Sequence, residues 1–502
     1  MKSLFIDGNS LRPEEVCCVA ERFQTVRLEA GARRRMLESR RVILRLVQKK
    51  NPVYGVTTGI GKLSDQVISL EDAGRLQLNI IRSHACGVGP FLEESQVRAA
   101  LLVRANTLAK GFSGVRPQVV ESMIGLLNQR LIPLVPCQGS VGASGDLVPS
   151  AHAALVLIGE GLTVFKGKKL TARNALQRAG LKPLELEAKE GISIINGTHF
   201  ISGMGILCLQ QAQRCLHAAD IAGALSMEAL MGTPMAYDQR LMDARPHPGQ
   251  KVVAEHLRSL VEGSGIVASH LHCRRVQDAY SLRCIPQVHG AARDAVNYAG
   301  GVLQTEVNSA VDNPLVFSKE EAVLSGGNFH GAPVALALDF MAMAITQAAT
   351  MAERRIERLI NPDLSGLPAF LSKGAGLESG YMMAQVTAAA LASECKVLAH
   401  PACVDSISTS GAKEDHVSMG MHAALKLGDI LRNYENILAI EFLAACQAID
   451  LLDLPGKPRP GIGVQKAYRL IRQKVPFLVE DRVLSNDIET IRQLLSGGHL
   501  DF

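Results

Sequence analysis

Residues 331–351 read GAPVALALDFMAMAITQAATM. The stretch imitates a membrane span, yet Pro333 stands near its start and Asp339 in its middle, and it runs directly into Glu353-Arg354-Arg355. A helix that is apolar nearly all round either crosses a bilayer or forms the centre of a large helical bundle. Other long Ala/Leu/Met-rich segments follow Gly197, at roughly 199–231, 252–262, 287–311, 380–399, 414–451 and 463–474. Several helices of this kind in one chain favour the bundle. Asp7 interrupts the N-terminus before any apolar run reaches export-signal length. The expectation is a soluble, cytoplasmic protein with no membrane partner.

Punctuation between the long segments is clear, as in Arg245-Pro246-His247-Pro248-Gly249 and Asn361-Pro362. Helices this long without sustained a/d heptads point to a bundle of long helices and not to a coiled coil. Residues 1–200 are more broken and richer in Gly and short loops. Short β-friendly pieces lie at Ser3–Asp7 and at Leu162–Leu170 (LTVFKGKKL), a predicted hairpin with Gly167 at its turn. The predicted fold is therefore mainly α: a mixed, mostly helical N-terminal head over 1–200, carrying the Gly-rich loop treated below, and a long-helix body over 201–502.

Composition agrees. The chain has 502 residues, 47% apolar but only 4% aromatic, with no Trp. Low aromatic content suits close helix–helix packing through small residues, and such hydrophobicity excludes disorder. Basic residues number 53 against 48 acidic, a net charge of +5 with no concentrated stripe. That argues against a nucleic-acid partner, which needs a basic patch. The eleven cysteines include no C-x-x-C pair and read as small core hydrophobes in a reducing compartment. His270, His272 and Cys273 form the one tight metal-like cluster; without a second ligand pair at metal spacing, no metal is expected.

The common nucleotide-binding and hydrolase signatures are missing: no G-x-x-x-x-G-K-[ST], no G-x-G-x-x-G after a strand, no H-E-x-x-H, no G-x-S-x-G. What stands out is Gln138-Gly139-Ser140-Val141-Gly142-Ala143-Ser144-Gly145-Asp146, leading into an apolar helix near Leu147. One reading is a flexible loop in which Ser144 or Asp146 caps the helix. The other is chemical. If the backbone bends tightly, the Gly145 nitrogen can attack the Ala143 carbonyl carbon. Loss of two waters, one from that carbonyl and one from the Ser144 hydroxyl, then leaves a five-membered ring bearing a methylidene electrophile. Glycine suits such a bend because it lacks a Cβ.

Ala143-Ser144-Gly145-Asp146 resembles the ring-forming motif of the aromatic amino acid ammonia-lyases, and the histidine-specific branch is the most similar. The resemblance spans essentially the whole chain. Its pieces are Tyr54–Gly59 (YGVTTG), Ser83–Gly89 (SHACGVG), Gly139–Leu147, Asn196-Gly197-Thr198, Val276–Arg283 (VQDAYSLR), Ser325–His330 (SGGNFH) and Glu414–Gly420 (EDHVSMG), seven motifs in family order. It implies a fumarase-like long-helix bundle assembled as a homotetramer, with active sites built from several subunits. It also implies a 4-methylidene-imidazol-5-one formed autocatalytically from Ala143-Ser144-Gly145, with no metal or nucleotide. The implied reaction is non-oxidative loss of ammonia from the amino-acid substrate L-histidine, giving trans-urocanate.

The resemblance also assigns roles. Tyr54 becomes the base or proton-transfer group, a job for which a phenol of ordinary pKa about 10 needs help. Tyr280 and Glu414 join it as catalytic residues. Arg283 grips the substrate carboxylate, as a planar bidentate fork can. Asn196 and Gln277 orient substrate or ring, Phe329 lies against the substrate, and His84 with Glu414 gives the imidazole polar partners. Taken singly, each has an ordinary alternative: a loop anchor for Tyr54, a surface pair for Arg283, core for Phe329, a satisfied histidine for His84 and a helix N-terminal charge for Glu414. Three positions depart from the family pattern. Ala279 replaces a Pro, Ile285 a Gln and Lys413 a Gln, the last placing a cation beside Glu414. Rival readings are a tyrosine or phenylalanine ammonia-lyase or aminomutase, against which His84 and Glu414 discriminate, and a non-catalytic helical scaffold, which needs neither the tripeptide nor Tyr54 nor Arg283.

Overall fold

A computed structural model describes residues 2–49, 52–69, 71–271 and 276–502. The apolar stretch at 331–351 lies in one α-helix, Ala332–Ile360. Val334, Ala335, Ala337, Leu338, Met341, Ala342, Ile345, Ala348 and Ala349 are wholly buried along it, while Leu336, Phe340 and Met343 leave one stripe exposed, so protein covers most of its circumference. Pro333 is tolerated because the first helical turn has no internal N–H partner to lose. Asp339 is buried as well, and its carboxylate accepts the Cys403 backbone N–H at 2.8 Å. This is a core helix of a bundle.

The other long segments form the helices His199–Ala229, Pro248–Leu260, Ile285–Glu306, Met382–Leu398, Gly420–Leu451 and Ile462–Lys474. One start differs from expectation. The helix expected from residue 414 begins at Gly420. Residues before it are committed elsewhere: Glu414 bridges to Thr409, the Met419 N–H donates to the Val141 carbonyl at 2.9 Å, and Met419 is left-handed at φ 54°.

Strands are few and short. Leu4–Ile6 pairs in parallel with Val26–Leu28. The LTVFKGKKL hairpin pairs Leu162–Phe165 with Lys168–Thr171, Phe165 opposite Lys168. Its turn residues Lys166 and Gly167 both have positive φ (50° and 72°), the twist a two-residue hairpin turn needs. A third strand, Leu131–Pro133, extends that sheet and carries the chain toward the Gly-rich loop.

The chain divides into two compact units. One comprises Met1–Cys208, Ala299–Asp339 and Pro401–Leu425; the other comprises Leu209–Tyr298, Phe340–His400 and Lys426–Phe502. A single division near residue 200 was expected. The first unit takes in that head and two later segments besides, because the boundaries fall inside the long helices. In the second unit, Glu441 and Arg355 are fully buried and paired at 2.5 and 2.9 Å, and Ser226 donates to Glu441 at 2.7 Å. Three long helices are thereby tied by one polar cluster.

Candidate active site

The Gly-rich loop is held from both sides by Gly197. Its N–H donates to the Ser144 carbonyl (3.2 Å) and its carbonyl accepts the Asp146 N–H (2.8 Å), bracketing Gly145. Ser144 and Gly145 are both left-handed, at φ 51° and 75°. A Cβ on Gly145 would lie 2.2 Å from the Gly197 oxygen, so only glycine fits there. Two consecutive left-handed residues draw the segment into the tight bend that a Gly145-to-Ala143 cyclisation requires.

Asp146 begins the Leu147–Leu157 helix without capping it by its side chain. It reaches instead to the N-terminus of the His199–Ala229 helix, accepting the Phe200 and Ile201 N–H groups at 2.8 and 2.9 Å. Complete burial pushes its carboxyl up to about 7 despite those two donors. The capping alternative is therefore replaced by a link between two helices.

A cavity of about 680 Å³ opens beside the loop, wholly within the first unit. Tyr54, His84, Ala143, Ser144, Asn196, Phe329 and Glu414 all line it. Residues from six distant places in the sequence meet at one surface. The Tyr54 hydroxyl oxygen accepts the Gly61 N–H at 3.1 Å. His84, half-buried, places Nδ1 2.7 Å from the Ile80 carbonyl. A carbonyl only accepts, so Nδ1 carries the proton and Nε2 is left with its lone pair in the neutral ring. Glu414 accepts from the Thr409 hydroxyl at 2.7 Å, a loop contact and not a helix N-terminal charge.

Gln277, Tyr280 and Arg283 belong to the second unit and are described within it. Gln277 and Tyr280 are exposed, and the Arg283 guanidinium lies 4.6 Å from the centre of the Tyr280 ring. Arg283 forms no ion pair with the described residues, and its Nε is buried without a partner among them. Ala279 has φ −65°, the value a proline would impose, so the departure there preserves the backbone. Ile285 is fully buried, a setting an aliphatic side chain fits. Lys413 lines the cavity without an ion pair to Glu414.

Sequence reasoning missed several cavity residues. His330 and His416 line it with parallel rings 6.0 Å apart, and Lys62 and Asn313 line it too. His330 and His416 stand inside the SGGNFH and EDHVSMG motifs, His330 being read there as a neighbour supporting Phe329; Lys62 carried no signal beyond its nearness to Tyr54. Of the metal-like cluster, His270 places its ring nitrogens near the Ile266 and Gly232 carbonyls (2.7 and 3.0 Å), while His272 and Cys273 lie outside the described residues. Among the described residues, no group of three or more His, Cys, Asp or Glu side chains is arranged to hold a metal.

Comparison with known proteins bears on this geometry. The family model for aromatic amino acid lyases matches residues 11–473. The chain is 52% identical over 513 residues to histidine ammonia-lyase of Koribacter versatilis, covering 100% of this chain and 99% of that protein. Among solved structures it is similar to histidine ammonia-lyase from Trypanosoma cruzi (42% identity, TM-score 0.92, 99% of this chain and 94% of that one). It is also similar to tyrosine aminomutase from Streptomyces globisporus (38% identity, TM-score 0.94, 99% and 97%).

Proposed function

Because the chain belongs to the aromatic amino acid lyase family, we propose that it is a carbon–nitrogen lyase that eliminates ammonia from L-histidine to give trans-urocanate. The observation that carries the reading is the single cavity shared by the Ala143–Ser144 bend, Tyr54, and the polar pair His84 and Glu414. A buried imidazole nitrogen left without a partner costs about 1–3 kcal/mol, and those two side chains can supply partners where a phenyl ring would need apolar walls.

The prosthetic group of this reading is a 4-methylidene-imidazol-5-one made from Ala143, Ser144 and Gly145. The residues present fit it: a small side chain, a hydroxyl that leaves as water, and a glycine whose Cβ position is filled by the Gly197 carbonyl. The group supplies an electrophile that makes the substrate amine a good leaving group. The chain's own residues do the rest. Tyr54 removes the β-proton, His84 and Glu414 hold the imidazole, and Phe329 packs against it. Asn196 orients the substrate. Arg283 binds the carboxylate, with Gln277 binding and Tyr280 assisting catalysis. We place the protein in the cytoplasm as a homotetramer; the ten described cysteines are all free, which suits a reducing compartment.

Intact mass tests the ring directly. Two expelled waters lower the mass by about 36 Da, and Ser144→Ala should restore the unmodified arithmetic while abolishing most turnover. A wild-type mass equal to that of the plain sequence sinks the ring. Incubation with histidine, tyrosine and phenylalanine under ultraviolet scanning tests the substrate, and faster turnover of either rival than of histidine overturns that part alone.

A further inference from the structure

Asn196 is 3% exposed and sits in the cavity wall beside Ala143 and Ser144. Its Nδ2 donates to Asp312 Oδ1 at 3.2 Å and to the Asn313 carbonyl at 3.3 Å. Both of those groups only accept. Turning the amide over would set oxygen against oxygen, so its orientation is decided. Its Oδ1 is buried and has no hydrogen-bond partner among the described residues. Buried polar atoms in folded proteins are nearly always paired, so an orphaned acceptor in a cavity wall points to a ligand that donates.

Asp312 is itself immobilised. Its Oδ1 also accepts the Asn313 N–H at 2.7 Å, and its Oδ2 accepts the Lys189 ammonium and the Ser193 hydroxyl, each at 3.0 Å. Lys189 and Asp312 are both fully enclosed. Burial alone would raise the Asp312 carboxyl, but Lys189 and Arg104 hold it down at about 2, so it stays an acceptor throughout the working pH range. None of these residues belongs to the seven motifs except Asn196.

We propose that Asp312, anchored by Lys189, is a positioning residue that locks the Asn196 amide so that its oxygen accepts an N–H of the substrate's ammonium group. The inference rests on the reading above, that the substrate is an amino acid. A free oxygen there favours the amino end of a zwitterion and repels its carboxylate. It therefore directs the amine toward the Ala143–Ser144 bend, where the leaving group must be.

The test is Asp312→Asn. The new amide keeps its oxygen toward Lys189 and Ser193 and sets its NH2 against the Asn196 Nδ2, so one of the two acceptors that fix the Asn196 amide is lost and only the Asn313 carbonyl remains. KM for L-histidine should rise ~10- to 100-fold, as expected for losing a hydrogen bond to a charged donor. The dissociation constant of 3-(imidazol-4-yl)propionate, which lacks the amine, should change by less than about twofold. The 36-Da mass deficit should persist. Where Lys189 left without a charged partner prevents folding, Lys189→Gln/Asp312→Asn removes both charges together and should show the same split. Equal weakening of both ligands, an unchanged KM for histidine, or loss of the mass deficit with binding intact each overturns the role of Asp312. Wild-type turnover of histidine is measured first; its absence overturns the functional reading and this inference with it, whereas turnover with an unshifted ratio overturns only the inference.

Discussion

Asp146 couples the Ser144–Gly145 bend to the fold through one carboxyl group. Its pKa near 7 in the folded state stands above the ordinary 3.8, so the folded protein keeps a proton that the unfolded chain has already released between those values. Ionisation therefore opposes folding progressively from about pH 4 to 7, and the penalty is complete above that, on the order of a few kcal/mol. Asp146→Asn keeps an oxygen for the Phe200 and Ile201 N–H groups and removes the titration. Its melting temperature relative to wild type should accordingly climb between pH 5 and pH 8; an offset that stays flat contradicts the account. In the cavity lining, His84→Leu removes the Nε2 lone pair but keeps bulk. Histidine turnover should fall at least tenfold with little change in melting temperature, and any trace activity on phenylalanine should rise. A variant that loses both stability and activity in parallel would make His84 a structural residue.

Among the elements, the helices Ala332–Ile360, His199–Ala229 and Gly420–Leu451 meet in the second unit at Arg355, Ser226 and Glu441. The pair is completely enclosed, so its attraction is offset by the cost of taking two charges out of water. Removing one partner leaves the other uncompensated. Arg355→Met should cost about 3–5 kcal/mol in thermal or denaturant unfolding, whereas Arg355→Met combined with Glu441→Leu should recover most of that loss. Additive single-variant losses would rule out this coupling. These helices were legible from their Ala/Leu/Met runs, because a buried face this wide keeps the sequence apolar over most of each turn. Their ends were less so. The start at Gly420 is set by the Met419–Val141 hydrogen bond and the left-handed Met419, contacts with a loop nearly 280 residues away in sequence.

At the scale of the whole molecule, large apolar side chains remain on the surface. In the second unit they include Phe340 (44% exposed) and Met343 on one helix, with Met383 (61%), Val386 and Val397 (75%) on another. Apolar area of this kind on successive helix faces is what symmetric assembly covers. The proposed homotetramer therefore predicts that Phe340→Glu lowers the mass seen by light scattering and reduces turnover together. A fully active monomer at assay concentration would overturn the assembly.

The amino-acid sequence alone determined the helical class, singled out the Ala143-Ser144-Gly145 tripeptide and named seven of the cavity's residues, Tyr54, His84, Ala143, Ser144, Asn196, Phe329 and Glu414. Those signals are local: hydrophobic runs, a Gly-flanked serine, and short motifs whose residue types match the chemistry asked of them. The hairpin at Leu162–Thr171 was legible for the same reason, since Lys166-Gly167 alone specifies its turn. Tertiary structure decided everything that depends on two distant segments meeting. It brought Gly197 around Gly145, sent the Asp146 side chain to a second helix in place of its own, and put His330 and His416 on one cavity wall. It also turned the Asn196 amide, because its two possible orientations are chemically equivalent in the sequence and only the acceptors of Asp312 and Asn313, more than a hundred residues downstream, distinguish nitrogen from oxygen.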